Sequence, residues 1–223
     1  MENSEIQKMR GRMIQAVIFD NDGVIVDSEP LHHLAEKQTM ARYGVAITED
    51  EFLKYVGIGT EQMFGDWIKK FQLTAADPTE MIERHQGTLM QLFIEQVQPT
   101  PNVVPFIQQL ANKQYKLAVA SSSQRALVEI GLRKYDLLNY FQVVVCADDV
   151  TNPKPDPELF LRAAEQLQVS PAGCLVIEDS AAGIQAAKAA GMYCVGYLNA
   201  HSGRQDLSAA DIVVGDFGEI QLP

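Results

Sequence analysis

Residues 17–29 read VIFDNDGVIVDSE, an apolar run that ends in two carboxylates, Asp20 and Asp22, with a glycine directly after. Carboxylates held behind such a run are costly unless something neutralises them. Two residues apart in extended backbone, their side chains project the same way. One can then attack an electrophile while its neighbour moves protons. Three other apolar runs also stop at reactive groups. KLAVASSS ends at Ser121–Ser123, VVVCADD leads to a loop with Lys154 between Pro153 and Pro155, and CLVIEDS ends at Glu178 and Asp179. If the runs are parallel strands, their ends share one edge of the sheet, where open α/β sheets bind ligands.

The inventory points to phosphoryl transfer. Several carboxylates in one crevice repel each other unless a cation sits among them. An all-oxygen donor set suits Mg²⁺, which keeps part of its coordination for water and phosphate. Ser121, with the backbone amides of Ser122 and Ser123 opening the next helix, can hold phosphate oxygens. Lys154 adds a fixed positive charge on a loop restricted by its two prolines. Each group covers one oxygen or one charge of the transition state. Taken singly they have ordinary explanations: Ser121 a helix N-cap, Lys154 a solvated lysine, Glu178 and Asp179 favourable charges at a helix start. Shared placement at strand ends is what favours chemistry.

The elements that must position these groups are legible as two textures. Strand-like apolar runs occur at Ala16–Phe19, Leu117–Ala120, Val143–Ala147, Leu175–Ile177, Tyr193–Tyr197 and Ile212–Val214. Helical stripes lie among them, one through Leu159, Phe160, Ala163, Ala164 and Leu167, another through Val104, Ile107, Leu110 and Ala111. The pattern predicts an α/β fold, a Rossmann-like parallel sheet covered on both faces. Between residues 31 and 97 only helix signals appear. Thr48–Glu51 reads as a capping box whose helix Gly57 would end. Met63, Phe64, Trp67, Ile68 and Phe71 form an apolar stripe, and Asp77-Pro78 reads as an N-cap with proline at the first helical position. The expected organisation is an α/β catalytic core at 13–30 and 98–223, an all-helical cap at 31–97, and a flexible leader at 1–12.

Composition bounds the function. With 47% hydrophobic and 21% charged residues in 223, the chain is an ordinary globular protein. A formal charge of −11 without any Lys/Arg block argues against nucleic-acid binding. No apolar stretch approaches the roughly 20 residues of a membrane span, and MENSEIQKMRGRM lacks the apolar centre of a signal peptide. Cys146, Cys174 and Cys194, odd in number and each within an apolar run, read as buried free thiols in a reducing compartment. The expected localisation is cytoplasmic. DNDG begins like a calcium loop, but its glycine comes early and Leu31 stands where the closing glutamate belongs. Neither a dinucleotide fingerprint nor a Walker A sequence is present: the one GxG, Gly57 and Gly59, lies in helical surroundings.

The DNDGVIVDSE segment, the strand-end Ser121, the Lys154-Pro155-Asp156 loop and the Glu178–Asp179 pair resemble, in order, the motifs of the haloacid dehalogenase-like phosphatase superfamily. The likeness is to its branch with a helical cap after the first motif, which holds β-phosphoglucomutase and many small-molecule phosphatases. The resemblance implies Asp20 as nucleophile forming an aspartyl-phosphate, and Asp22 as acid for the leaving group and then base for water. It implies phosphate binding by Ser121, Ser122 and Lys154. Mg²⁺ would be held by Asp20, the backbone carbonyl of Asp22, Asp179 and, directly or at one remove, Glu178. A cap of this kind closes over the crevice, and Gly57, Gly59, Thr60 and His32 would bear on specificity.

The mutase of that branch carries an Arg in the cap loop and a Lys-Asn pair after the core serine. Here Thr60 and Gln124-Arg125 stand instead, while His32 agrees. The expectation is therefore a Mg²⁺-dependent phosphatase of small phosphorylated metabolites, sugar phosphates foremost. A phosphomutase is the alternative. A non-catalytic phosphoacceptor switch is less favoured, because Asp22 would hasten loss of the phosphoryl group. Among the remaining residues, Asp27 reads as a turn-orienting group and His85 as a packing residue. His33 and His201 carry no signal, and oligomeric state is open.

Overall fold

The computed structural model describes residues 13–52, 54–55, 59–74 and 76–222; the leader 1–12 and Gly57 lie outside the described residues. In chain order the elements are β1 (Ala16–Phe19), β2 (Val26–Asp27), α1 (Glu29–Ala41), α2 (Glu49–Phe52), α3 (Thr60–Lys70), α4 (Pro78–Gln96), β3 (Gln98–Pro99) and α5 (Val103–Asn112). They continue with β4 (Lys116–Ala120), α6 (Arg125–Lys134), β5 (Val143–Val145), α7 (Glu158–Leu167), β6 (Cys174–Glu178), α8 (Ala181–Ala189), β7 (Tyr193–Tyr197) and β8 (Ile212–Val214). Two compact units result: one from the chain up to Asp27 together with Gln98 onward, the other from Ser28–Val97.

The first unit is α/β. Its six-stranded sheet has the order β5-β4-β1-β6-β7-β8, and every pairing is parallel. All four residues of β1, AVIF, are buried, which is why so short a run can contain no polar residue. Its neighbours β4 and β6 bury four and five residues respectively. From β1 the strand order runs outward to β4 and β5, then reverses to β6, β7 and β8. The carboxyl ends of β4, β1 and β6 therefore flank the reversal, the place where such sheets leave a crevice.

Some boundaries differ from the sequence reading. The buried face of α5 is Val103, Phe106, Ile107 and Leu110, so Val104 and Ala111 flank the apolar stripe and do not form it. Helix α6 starts at Arg125 behind Gln124, so Ser122 and Ser123 belong to the preceding turn and do not open the helix. A two-stranded antiparallel ladder, Val26 with Pro99 and Asp27 with Gln98, joins the two ends of the inserted segment. Two residues per strand leave no period to read.

The second unit is helical. Met40, Ile47, Phe52, Met63, Phe64, Trp67 and Met81 form its core. Asp77 caps α4 by accepting the Thr79 amide at 3.0 Å, with Pro78 at the first helical position. Only half of the expected capping box forms: Thr48 Oγ1 accepts the Glu51 amide at 3.3 Å. The Glu51 carboxylate accepts Trp67 Nε1 at 3.2 Å and pairs with Lys54 at 2.8 Å and Lys70 at 2.5 Å. Trp67 and Lys70, distant in sequence, together with nearby Lys54, take the side chain that a local cap would use. His85 is buried with its ring 5.3 Å from that of Phe64. Among the described residues no helix is long and apolar enough to cross a membrane.

Candidate active site

Strand β1 holds its ladder to the last residue, the Asp20 amide still donating to Ile177 O at 3.0 Å. Asp20 thus reaches the sheet edge with a fixed backbone, and its side chain is buried. Lys154 Nζ lies 2.6 Å from Asp20 Oδ1 and 2.7 Å from Glu178 Oε1, and donates to Ala120 O at 3.2 Å. Three acceptors use all three ammonium protons. The same nitrogen lies 4.9 Å from the centre of the Phe160 ring, which adds an attraction to the ring face.

Glu178 has both oxygens engaged. Beyond Lys154, its Oε2 accepts the Ser180 amide at 2.8 Å and the Ser180 hydroxyl at 2.9 Å. Helix α8 then begins at Ala181, capped by Ser180 Oγ on the Gly183 amide at 3.1 Å. A Cβ on Gly183 would stand 1.7 Å from Glu178 Oε1, so glycine there is what lets the helix close against the carboxylate. Asp179, also buried, accepts a short hydrogen bond from Ser202 Oγ. Gly23 has φ +76°, and a Cβ there would lie 1.9 Å from Asp179 Oδ2.

Asp22 faces different partners. Its Oδ2 accepts Ser123 Oγ at 2.6 Å and Ser121 Oγ at 3.3 Å, and Ser121 Oγ accepts the Ser123 amide at 3.0 Å. The start of α6, just after the serine turn, is bound to β5 and the residues that follow it. Arg125 donates from its backbone to Asp148 Oδ2 at 2.8 Å, and from its guanidinium to Asp149 Oδ2 at 2.6 Å and Val144 O at 2.9 Å.

Burial drives the Asp20 carboxyl upward, helped by the Glu178 and Asp22 charges and opposed by Lys154. Burial would lower Lys154, but Asp20 and Glu178 outweigh it and hold the lysine above its ordinary value. The lysine therefore stays charged and opposes the rise of Asp20, which burial still carries to about 8. Asp20, Glu178 and Asp179 offer oxygens that all lie within 4.8 Å of one another. Three hard, anionic donors with one lysine fit a hard divalent cation in chemistry and in charge.

Asp20, Asp22, Ser121, Lys154, Glu178 and Asp179 are thus brought together at the ends of β1, β4 and β6 and on the loop before α7. The Asp22 carboxylate is outside the acidic cluster and lies with the serines. Ser122 sits in the same turn as Ser121 with its side chain exposed. The remaining expected residues belong to the helical unit: His32 on α1, with its ring 6.0 Å from Phe93, Gly59 as the N-cap of α3, and Thr60 as its first residue. Sequence reasoning missed Arg125, Ser202 and the His201–Asp27 pair, whose Nδ1–Oδ2 distance is 2.8 Å. A lone arginine at a helix start, or a lone serine or histidine in a loop, carries no period or motif. Cys146, Cys174 and Cys194 are buried and free, and burial pushes the first two thiols up to about 12 and about 11.

Comparison with known proteins shows the family. The haloacid dehalogenase-like hydrolase family matches residues 17–197, so the chain belongs to that family. A phosphorylated carbohydrates phosphatase from Thermotoga maritima is 38% identical over 181 residues, covering 80% of this chain and 82% of its own. Beta-phosphoglucomutase from Bacillus subtilis is 35% identical over 218 residues, covering 94% and 92%. The crystal structure of beta-phosphoglucomutase from Clostridium difficile superposes with a TM-score of 0.77 at 25% identity, covering 94% of each chain. These relatives are phosphatases and phosphomutases, and the chain stands among them in that part of the family. It also matches 18% of the length of the Arabidopsis thaliana protein Suppressor of Quenching 1.

Proposed function

We propose that this protein is a Mg²⁺-dependent phosphatase of small phosphorylated metabolites, sugar phosphates foremost, working through an aspartyl-phosphate on Asp20. The observation that carries the reading is Lys154, buried and bound at 2.6 Å to Asp20 and 2.7 Å to Glu178 beside Asp179. A lysine so placed opposes the upward shift that burial gives the carboxylate beside it.

In the first half-reaction Asp20 attacks phosphorus as the bond to the leaving oxygen breaks, and Asp22 gives that oxygen a proton. In the second, Asp22 takes a proton from water as the water oxygen attacks phosphorus. The bond to Asp20 breaks, and inorganic phosphate leaves. Ser121, the amide of Ser122 and Lys154 hold the phosphoryl oxygens. Asp20, Asp179 and the Asp22 carbonyl would hold Mg²⁺, which would supply positive charge to offset that of the transferring group. Glu178, whose oxygens accept Lys154 and Ser180, would support the metal directly or at one remove. In this reading residues 31–97 are the cap that selects the leaving group, with His32, Gly59 and Thr60 as specificity elements, and 13–30 with 98–223 are the catalytic core. A cytoplasmic enzyme is consistent with its free thiols.

A phosphomutase is favoured by one observation, the match to beta-phosphoglucomutase over 94% of this chain. One assay separates the two: phosphate release from a panel of phosphorylated metabolites, including β-glucose 1-phosphate, with Mg²⁺ and with chelator. The expected result is metal-dependent release that disappears in Asp20→Asn and falls at least ~10²-fold in Asp22→Asn. Full release in Asp20→Asn would sink the mechanism. Hexose 6-phosphate formed without phosphate release would establish the mutase.

A further inference from the structure

The loop after β7 is tied to both segments that bring carboxylates to the site. Asn199 Nδ2 donates to Gly23 O at 2.8 Å, and its Oδ1 accepts the His201 amide at 2.7 Å. His201 Nδ1 lies 2.8 Å from Asp27 Oδ2. Three residues beyond Ser202, Gln205 Oε1 accepts the Ala181 amide and its Nε2 donates to Ser202 O, both at 3.2 Å. One side of the loop is therefore pinned to the DNDG turn and β2, and the other to the first turn of α8.

Ser202 sits between these ties. It is 3% exposed, and its hydroxyl donates to Asp179 Oδ2. Its Oγ would lie 2.9 Å from a Cβ on Gly23, so the hydroxyl fills the space that glycine leaves beside the carboxylate. A buried hydroxyl held by anchors on both sides has few other orientations available. Its hydrogen bond bears directly on which way the Asp179 carboxylate faces.

We propose that Ser202 is the positioning residue for Asp179, orienting that carboxylate toward a divalent cation shared with Asp20. The inference rests on the metal-dependent reading above. Partners that orient a ligating carboxylate raise metal affinity by fixing its direction before the ion arrives. The rest of the loop, Asn199 and Gln205 above all, holds Ser202 in place and acts through it.

The test is calorimetric titration of Mg²⁺ into the full chain without substrate. Ser202→Ala is expected to weaken binding by about ten- to hundredfold, and Ser202→Thr, which keeps the hydroxyl, to stay near the parent. Urea unfolding of both variants in chelator should match the parent, separating a metal effect from a folding defect. Should Ser202→Ala fail to fold, Ser202→Cys keeps the volume and donates only weakly, and the same loss of affinity is expected. Parent-like Mg²⁺ affinity in Ser202→Ala or Ser202→Cys would overturn the assignment. A parent chain that takes up no Mg²⁺ would overturn it as well, by removing the metal-dependent reading on which it stands.

Discussion

The two units differ in how some of their buried ionisable groups are partnered. In the α/β unit Asp20, Glu178 and Lys154 are buried with charged partners at 2.6 and 2.7 Å. In the helical unit Glu36 and His85 are buried with Glu36 Oε2 and His85 Nδ1 lacking a hydrogen-bond partner among the described residues. Burial, with the nearby Glu29, raises Glu36 to about 8; burial, with the nearby His32, lowers His85 to about 4. Near neutral pH both are largely uncharged. In the α/β unit Lys154 opposes the rise of Asp20, which burial still carries to about 8. In the helical unit Glu36 and His85 shed charge, as enclosed ionisable groups do without a charged partner, while Glu51 keeps Lys54 and Lys70. Asn21 breaks the pattern, because its buried amide lies between the two aspartates in sequence and has no partner among the described residues.

The sharpest way to break the contrast is Lys154→Met. Removing one member of a buried ion cluster strands the others, so stability should fall by about 3–5 kcal/mol in urea unfolding with chelator. A loss under about 1 kcal/mol, the scale of an exposed pair, would show that the carboxylates do not depend on the lysine.

The helical unit predicts a pH dependence. The folded-state value of Glu36, about 8, lies above its reference of 4.5. The folded chain therefore binds an extra proton between those values, and the stabilisation it brings, complete below the lower one, is lost as pH rises through the upper. Glu36→Gln stays neutral throughout, so its stability relative to the parent should climb between about pH 5 and pH 9. A flat difference would mean that Glu36 is ionised in the folded chain. His85 works in the other direction: its folded value of about 4 lies below 6.5, so its contribution is lost as pH falls from one to the other.

The smallest expected effect is that of Asn21→Leu. Replacing a buried amide that has no partner with an apolar side chain of similar size should raise stability by about 1–3 kcal/mol. Chemical denaturation of the two chains measures it, and destabilisation would show that the amide is engaged in the folded protein.

Much of the α/β unit was legible in the sequence because its strands are short, apolar and mostly buried, so the apolar runs and the strands nearly coincide. β1, β7 and β8 match the sequence reading to the residue, and β4 and β6 to within one residue at each end. The helical stripe of α3 and the Asp77 cap were equally local signals. What escaped was non-local. The β2–β3 ladder joins residues far apart in the chain through two residues on each side. The Thr48–Glu51 box is half-formed because Trp67, Lys54 and Lys70 draw off the Glu51 carboxylate. The serine turn ends before α6 because Arg125, its first residue, is held by Asp148 and Asp149.

The sequence by itself determined which chemistry is available. Apolar runs must be buried, and carboxylates, hydroxyls and a lysine at their ends must then gather where parallel strands finish. Only the tertiary structure decided how those groups divide. Asp20 goes to Lys154, Glu178 beneath the same lysine, Asp22 to the serines and Asp179 to Ser202. That division depends on side-chain directions and on space of an ångström or two beside Gly23 and Gly183. Spacing along a chain carries the period of a strand or a helix, but not the contacts between loops that are distant in sequence.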